Sequence, residues 1–303
     1  MNFINTSSIN TSPPSNIIVN KYRIEKRIGE GKFGVVYSGT ILKKNIPIAI
    51  KMESQETNIR ILKHETTILN HLYRNGCRCI PMVYWFGVHF ENTCLIMNFY
   101  KCSLNDYSKT HNMTDKMDIF MAKLIELLEN IHKHYVVHRD IKPDNFMFDE
   151  NNDLHMIDFG MATIYINEEK EHIPYIKGSR EFVMGSNRFM SYNVHNGDEP
   201  VRRDDLISIG YLYLYYMLNG LPWDNIQTDD YIGIKSEEMN LYSDLHILNY
   251  KNKIRKGKKS WEQLAPIASI CNAKIYRYLD YCYHLSFDGE PCYDALKMVF
   301  LNT

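Results

Sequence analysis

The stretch that decides the fold is His138-Arg139-Asp140-Ile141-Lys142-Pro143-Asp144-Asn145, which follows the apolar pair Val136-Val137. Asp140 can orient a substrate hydroxyl and accept its proton, and Lys142 offers a mobile positive charge to a phosphate in transfer. Asn145 supplies a neutral oxygen of the kind that magnesium binds. Phosphoryl transfer needs positioning and charge more than covalent help, and chance is a poor explanation for this spacing. The stretch therefore predicts a phosphoryl-transfer loop.

Beyond the loop, a predicted hairpin leads the chain to Asp158-Phe159-Gly160. Its strands are the apolar runs Phe146–Phe148 and Leu154–Ile157, which a polar turn separates. The hairpin returns Asp158 to the neighbourhood of Asn145, so both side chains can hold metal ions that bridge nucleotide phosphates. A turn with a buried phenylalanine is the usual alternative for such a triplet, but the preceding loop favours the metal site.

A glycine-rich segment, Gly29-Glu30-Gly31-Lys32-Phe33-Gly34, stands between two apolar runs that are both predicted as strands. Glycines let backbone amides close over phosphates without obstruction by side chains. The same spacing marks dinucleotide-binding folds, but there it opens directly into a helix. Here Val35-Val36-Tyr37 continues as a strand and leads to Ile48-Ala49-Ile50-Lys51, which is the order of a kinase.

Lys51 ends an apolar strand, and Glu65 lies on a helix that the spacing predicts over Asn58–Leu72. We expect Lys51 to hold the α- and β-phosphates of a nucleotide, and Glu65 to pair with its ammonium group. Taken singly, an edge lysine and an exposed glutamate are equally good interpretations. The order of glycines, lysine and helix glutamate favours the ion pair.

Composition restricts the classes of partner. The chain has 303 residues, 45% of them hydrophobic, with 35 Lys and Arg against 36 Asp and Glu. Because the charges balance, neither nucleic acid nor a membrane surface is favoured as a partner. Seven scattered cysteines without C-x-x-C pairs are typical of a reducing compartment, so we expect an intracellular protein, cytoplasmic or nuclear. We also expect a monomer without a structural metal.

The hydrophobic pattern divides the chain. Residues 1–20, rich in Ser, Thr, Asn and Pro, are predicted to be a flexible leader. From Tyr22 to about Tyr100, short apolar runs predict a sheet-rich region with one helix, and Asp118–Ile131 is the first helix of a helical remainder. The apolar stretch Leu206–Leu218 is shorter than the roughly 20 residues that span a bilayer, which predicts a buried helix and no membrane anchor. The predicted fold class is α+β.

Together, the glycine-rich segment, Lys51, Glu65, His138-Arg139-Asp140 and Asp158-Phe159-Gly160 resemble the eukaryotic protein kinase superfamily. The match runs from about Tyr22 to the end of the chain. The resemblance implies the two-lobed protein kinase fold, with a small sheet-rich lobe and a larger helical lobe. It also implies ATP as phosphate donor and Mg²⁺ as cofactor.

The resemblance further implies the bounds of the domain and the position of the nucleotide. The kinase domain would cover 21–303, with an N-terminal lobe at about 21–97, a hinge at about 98–101 and a C-terminal lobe at about 102–303. Met97 matches the gatekeeper, and Asn98 and Tyr100 match the hinge residues whose backbone bonds adenine. The apolar walls would be Ile28, Val36, Ala49, Met147 and Ile157. Ordinary core packing is a strong competing account of these five.

A finer resemblance comes from the segment after Asp158, where Ser191-Tyr192-Asn193 replaces the common Ala-Pro-Glu. This departure looks like the casein kinase I family. Further stretches agree: His172-Ile173-Pro174-Tyr175, Gly185-Ser186-Asn187-Arg188-Phe189, Arg202-Arg203-Asp204-Asp205-Leu206, Leu221-Pro222-Trp223, and Tyr278-Leu279-Asp280-Tyr281-Cys282 with Leu285 and Phe287. The place of Lys142 is that of a serine/threonine kinase, so the resemblance implies transfer to Ser or Thr of acidic or phosphate-primed protein substrates.

Within this family, Arg188 matches an arginine that helps to bind the substrate anion, and a guanidinium suits phosphate well. Asp205 would hold the backbone of the catalytic loop, although a simple helix cap is the alternative. The basic run between Lys251 and Lys259 could extend the anion site, but a solvated face is the favoured interpretation. A long acidic stretch between Trp223 and Tyr250 departs from the family.

Two other functions compete with an active protein kinase. A kinase-like scaffold usually lacks one of the four residues Lys51, Asp140, Asn145 and Asp158, and all four are present. A small-molecule phosphotransferase would share the loop and the metal-binding aspartate. It would not explain the segment 172–193, which is a docking platform for a polypeptide in the family resembled.

Overall fold

The computed structural model describes residues 16–31, 34–55, 61–176, 187–224 and 254–302. Their contacts divide into two compact units. Unit 1 holds the described residues up to Thr66 together with Val83–Phe99, and unit 2 holds Thr67–Met82 together with the described residues from Tyr100 onward. Unit 1 is built mainly from strands and unit 2 mainly from helices, so the predicted α+β class is confirmed. The predicted lobe and hinge bounds stay a prediction.

Unit 1 is an antiparallel sheet of six strands in the order β1-β2-β3-β4-β6-β5. The strands are β1 (Ile17–Ile18), β2 (Tyr22–Gly31), β3 (Gly34–Ile41), β4 (Ile46–Ser54), β5 (Val83–His89) and β6 (Asn92–Asn98). Side chains at alternate positions form its core, which contains Ile18, Tyr22, Ile41, Ile48, Ile50, Cys94 and Ile96.

The first strand corrects the predicted leader. Ile17 and Ile18 pair with Arg23 and Tyr22 of β2, and Ile18 is completely buried. A flexible leader that ends at residue 20 is therefore wrong for these two residues, because burial of an isoleucine side chain outweighs the polar composition around it. Residues 1–15 of the predicted leader lie outside the described residues.

Helix α1 (Ile61–Arg74) follows β4. It matches the helix predicted over 58–72, of which 58–60 lie outside the described residues. The carboxylate of Glu53 accepts hydrogen bonds from the backbone amides of Ile61 at 3.4 Å and Leu62 at 3.3 Å. Because the first amides of a helix have no partner within it, this carboxylate stabilises the start of α1.

Seven α-helices can be assigned in the described part of unit 2. They are α2 (Leu104–Thr110), α3 (Met117–His132), α4 (Tyr192–His195), α5 (Arg202–Met217), α6 (Trp261–Cys271), α7 (Ala273–His284) and α8 (Tyr293–Leu301). Helix α3 packs against α5 and α8, and α7 packs against α5 and α6. The two helices predicted over 118–131 and 206–218 are confirmed as α3 and the buried α5. No described helix has both the length and the apolar content that crossing a bilayer requires.

Short strands position the predicted phosphoryl-transfer loop within unit 2. They are β7 (Cys102–Ser103), β8 (Val136–Val137), β9 (Phe146–Phe148), β10 (Leu154–Met156) and β11 (Thr163–Ile164). Strands β9 and β10 form the predicted hairpin, in which Phe146 pairs with Met156 and Phe148 with Leu154. Strand β8 pairs with β11. The loop 138–145 therefore lies between two anchored strands, and Asp158 follows the end of the hairpin.

Candidate active site

Three of the predicted site residues meet in the loop 138–145. The Nζ atom of Lys142 lies 2.5 Å from Oδ2 of Asp140. The amide nitrogen of Asn145 donates to the backbone oxygen of Asp140 at 2.7 Å and to Oδ2 at 3.2 Å. Asp140 is buried, so its carboxylate has little contact with water. The carboxylate is held instead by the cation of Lys142 and the amide of Asn145.

The same contacts decide which atom of Asn145 can serve a metal. Since its amide nitrogen is used on Asp140, its oxygen is the polar atom that it can still offer. Amide and carboxylate oxygens are hard ligands of the kind that Mg²⁺ prefers. The donor set of Asn145 and Asp158 therefore fits magnesium.

His138 ties this loop to the segment that carries Asp158. Its ring is completely buried, Nε2 lies 2.9 Å from the backbone oxygen of Ile157, and Nδ1 accepts from the amide of Asp140 at 3.3 Å. Burial lowers the pKa of His138, and a neutral ring that donates from Nε2 and accepts at Nδ1 satisfies both contacts. The amide of Ile157 also donates to the backbone oxygen of Asn145 at 2.9 Å. The two predicted metal ligands thus sit on segments that are bonded to each other.

Two residues of the site adopt left-handed backbone conformations. Arg139 has φ 72° and Asp158 has φ 68° with ψ 62°. This region costs a non-glycine residue about 1–3 kcal/mol and persists only where the surroundings hold it. The packing of Phe159 against His138, with ring centroids 4.8 Å apart, is one such contact beside Asp158.

Asp205, near the start of α5, holds the strained backbone of Arg139. Its carboxylate accepts from the amides of His138 at 2.7 Å and Arg139 at 2.9 Å, and it lies 3.1 Å from Nε2 of His132. Burial alone would raise the pKa of Asp205, but the contacts with His132 and His138 outweigh it, and the pKa lies below its ordinary value. The predicted role of Asp205 in holding the catalytic loop is confirmed, because its main contacts are with the loop and not with the start of a helix.

In unit 1, Lys51 and Glu65 form the predicted ion pair. Nζ of Lys51 lies 2.7 Å from Oε1 of Glu65. Glu65 is only 1% exposed, so the alternative of an exposed glutamate is wrong. Lys51 lies inside β4, which continues to Ser54, and not at the end of a strand.

The glycine-rich segment joins β2 to β3, as predicted, with Gly31 opposite Gly34; Lys32 and Phe33 lie outside the described residues. Gly34 has φ 153°, and a Cβ at this position would lie 2.2 Å from the backbone oxygen of Met52. Position 34 therefore has no room for a side chain. Gly29 lies opposite Val36 on β3.

The five predicted apolar walls are all incompletely buried. Ile28 is 48% exposed. Val36 and Ala49 in unit 1, and Met147 and Ile157 in unit 2, are each of intermediate exposure. Their partial exposure leaves side-chain surface for a ligand, and ordinary core packing stays the alternative. Their contact with a nucleotide stays a prediction.

The predicted gatekeeper Met97 and hinge residue Asn98 end β6, and Tyr100 follows two residues later. Met97 is buried and lies opposite Ala49, and Asn98 lies opposite Ile48. Tyr100 belongs to unit 2, where its ring packs against that of His155 in a tilted arrangement, with centroids 4.8 Å apart. Their backbone contacts with adenine stay a prediction.

Arg188, the predicted anion contact, already has an anionic partner. Its Nε donates to Oδ1 of Asp224 at 2.8 Å and its NH2 group to Oδ2 at 2.5 Å. Neither the family resemblance nor any local pattern indicated Asp224 for this place. Asp224 is the first residue of the acidic stretch noted after Trp223. The rest of that stretch falls in 225–253, which lies outside the described residues.

The basic run contains a residue that is not solvated. Lys259 is completely buried, and its Nζ donates to the backbone oxygens of Asn187 and Met190, each at 2.7 Å. For Lys259 the interpretation as a solvated face is wrong, because the ammonium group satisfies carbonyls beside Arg188. Lys251 and Lys253 lie outside the described residues.

The segment that stands for Ala-Pro-Glu is held by Asp204. Its Oδ1 accepts from the hydroxyl of Ser191 at 2.6 Å and from the amide of Asn193 at 3.1 Å, and its Oδ2 accepts from the backbone of Val201 at 2.9 Å. Burial raises the pKa of Asp204. The neighbouring carboxylates of Asp204 and Asp205 thus fix two different segments.

Comparison with known proteins agrees with this geometry. The description "Protein kinase domain" matches residues 22–284. The chain belongs to the protein kinase family.

The similar curated proteins narrow the assignment. Casein kinase I homolog RAG8 of Kluyveromyces lactis is 32% identical over 98% of this chain, and casein kinase I homolog 1 of Saccharomyces cerevisiae is 32% identical over 98%. Casein kinase I homolog 1 of Schizosaccharomyces pombe is 32% identical over 95%. The similarity to casein kinase I homologues thus extends over nearly the whole chain. The chain spans 53%, 53% and 62% of the length of these relatives.

Proposed function

We propose that this chain is a serine/threonine protein kinase of casein kinase I type, which transfers the γ-phosphate of ATP to Ser or Thr hydroxyls of protein substrates. The observation that carries the proposal is the buried carboxylate of Asp140, bonded by the ammonium of Lys142 and the amide of Asn145. A carboxylate oriented in this way can accept a proton from a substrate hydroxyl.

In the reaction, the substrate hydroxyl gives its proton to Asp140 as its oxygen attacks the γ-phosphorus. A new phosphorus–oxygen bond forms, the bond from the γ-phosphorus to the β–γ bridging oxygen breaks, and ADP leaves. Lys142 lies 2.5 Å from the accepting carboxylate and can stabilise negative charge on the phosphate in transfer. His138 and Asp205 keep the loop in position through its backbone.

The proposed contacts of the nucleotide are those that the family resemblance implies. In unit 1 Lys51, oriented by Glu65, holds the α- and β-phosphates, and the glycine-rich segment supplies backbone amides. In unit 2 Asn145 and Asp158 would hold Mg²⁺, which would neutralise charge on the phosphates. The half-buried apolar side chains and the backbone of Asn98 and Tyr100 are assigned to adenine.

We further propose acidic or phosphate-primed substrates, with Arg188 as the contact to the anion. The protein is proposed to act as an intracellular monomer, cytoplasmic or nuclear, without nucleic acid or membrane partners. Its seven cysteines are all free thiols, which supports a reducing compartment.

A kinase-like scaffold without activity is the alternative. The contacts of Asp140 and the Lys51–Glu65 pair count against it. Burying charged groups costs desolvation free energy, and such groups cluster at functional sites. No observation favours a small-molecule phosphotransferase.

The experiment is phosphate transfer from radiolabelled Mg-ATP to casein or an acidic peptide by the Asp140→Asn variant. We expect a loss of about three to four powers of ten in kcat, because proton acceptance and orientation are removed together. Asp144→Asn is the matched control, since it changes an exposed aspartate of the same loop. Equal turnover by the Asp140→Asn variant and the wild type would contradict the assignment.

A further inference from the structure

Arg188 and Asp224 form a bidentate ion pair in unit 2, between positions 36 residues apart. Two nitrogens of the guanidinium, Nε and Nη2, face the two carboxylate oxygens at 2.8 and 2.5 Å. This fork-to-fork arrangement is also the one by which arginine binds phosphate. The carboxylate of Asp224 therefore occupies one of the guanidinium edges that could bind a phosphate in this way.

Both partners are fixed by further contacts. Oδ2 of Asp224 also accepts from the backbone amide of Leu221 at 2.7 Å. The guanidinium carbon of Arg188 lies 4.5 Å from the ring centroid of Tyr215, and the backbone oxygen of Arg188 accepts from Nε1 of buried Trp223 at 2.7 Å. Little conformational freedom is lost when such prearranged side chains pair, so the pair is stronger than one between two mobile surface residues.

The pair is nevertheless open to exchange. The Arg188 side chain is 42% exposed and that of Asp224 is 19% exposed. A phosphate group on a substrate can therefore reach the guanidinium. To use the edge with Nε it must displace the carboxylate, whose negative charge also opposes phosphate binding at the other donors.

We propose that Asp224 determines the substrate specificity of the Arg188 site, by competing with the phosphate of a primed substrate for the guanidinium. The inference rests on the proposed function of Arg188. Its consequence is that the wild-type chain distinguishes primed from unprimed substrates weakly, and that removal of the Asp224 charge makes it selective for primed ones.

The test compares kcat/KM for two peptides that differ only in one phosphate on a serine near the acceptor. In Asp224→Asn, an oxygen remains for the amide of Leu221 while the charge is lost. We expect the primed-to-unprimed ratio to rise about tenfold, which corresponds to about 1.4 kcal/mol. Asp224→Ala is the second variant, and thermal denaturation establishes that each variant is folded.

Two controls isolate the mechanism. Asp294→Asn removes the same charge from another ion pair of unit 2, with Lys297, and should leave the ratio unchanged. In the double variant Arg188→Ala/Asp224→Asn, the gain should disappear, because the guanidinium that binds the phosphate is absent.

Binding of the fluorescently labelled primed peptide, measured without ATP, separates this inference from the proposed function. If no variant transfers phosphate, the proposed function fails, while tighter binding by the Asp224 variants would still support competition. A ratio and an affinity within twofold of the wild type in both Asp224 variants would overturn the inference. So would a gain that survives the loss of Arg188.

Discussion

Asp205→Asn should show how far the catalytic loop depends on one buried carboxylate. Asp205 is 2% exposed and accepts from the amides of His138 and Arg139. Asparagine has the same shape but only one accepting oxygen, and its NH2 group would face a backbone donor. If the oxygen stays with His138 and His132, the amide of Arg139 loses its acceptor while φ at this residue is 72°.

The magnitude follows from these contacts. A hydrogen bond to a charged group contributes about 1.5–3 kcal/mol, and a buried donor without a partner costs about 1–3 kcal/mol. With one bond lost and two weakened, we expect the free energy of unfolding to fall by about 3–4 kcal/mol. Because Arg139 precedes Asp140 directly, relaxation of the strained backbone should also lower kcat by about tenfold or more, as expected for misplacement of a catalytic group.

Urea denaturation and steady-state phosphotransfer measure the two effects. The pH dependence gives an independent check, since the pKa of Asp205 is lowered in the folded chain. The stability that the wild type gains over Asp205→Asn should be complete above the unfolded pKa of about 3.9 and be lost as the pH falls through the folded pKa.

Asp204→Asn is the matched control, because Asp204 is the adjacent residue and is also buried. Burial raises the pKa of Asp204, so its ionised form is less stabilised by the fold and its replacement should cost less than that of Asp205. The role of Asp205 as the anchor of the loop is refuted if Asp205→Asn unfolds within about 1 kcal/mol of the wild type with unchanged kcat. It is also refuted if Asp204→Asn is the more damaging change.

Two further variants test the ion pair of unit 1 and the buried lysine of unit 2. Glu65→Gln should lower kcat/KM for ATP about tenfold or more, because Lys51 loses the carboxylate that orients it. Steady-state kinetics at varied ATP measure this, and an unchanged kcat/KM would contradict it. Lys259→Met should lower the free energy of unfolding by about 2–4 kcal/mol, since two carbonyls lose their donor, and urea denaturation measures it. Burial lowers the pKa of Lys259, so the unfolded chain binds the proton more tightly. Wild-type stability should therefore rise with pH between the lowered folded pKa and the unfolded value of about 10.4. The same rise in Lys259→Met would contradict the assignment to Lys259.

Much of the candidate site could be predicted because its residues are close in sequence. The contacts among Asp140, Lys142 and Asn145 span only a few residues, so backbone geometry limits how far apart they can be. The hairpin after the loop was equally predictable from two apolar runs and a polar turn, and it is confirmed with Phe146 opposite Met156.

The predictions that were wrong concern environment. Ile17 and Ile18 lie in a polar context, yet they complete a sheet edge that the local composition does not reveal. Lys259 belongs to a basic run, yet it is buried, and its Nζ donates to the backbone oxygens of Asn187 and Met190. Burial is a property of what the rest of the chain places around a residue, so a local window cannot give it.

The sequence by itself determined the family, the α+β class and the order of the residues that could act on a nucleotide, because these depend on motifs whose chemistry is local. Only the tertiary structure decided which charges meet. The carboxylate of Asp224 lies 36 positions after Arg188, and that of Asp205 lies 67 positions after the amide of His138. Such pairs form when distant segments fold against each other, and without the fold nothing in the spacing distinguishes them from the other carboxylates of the chain.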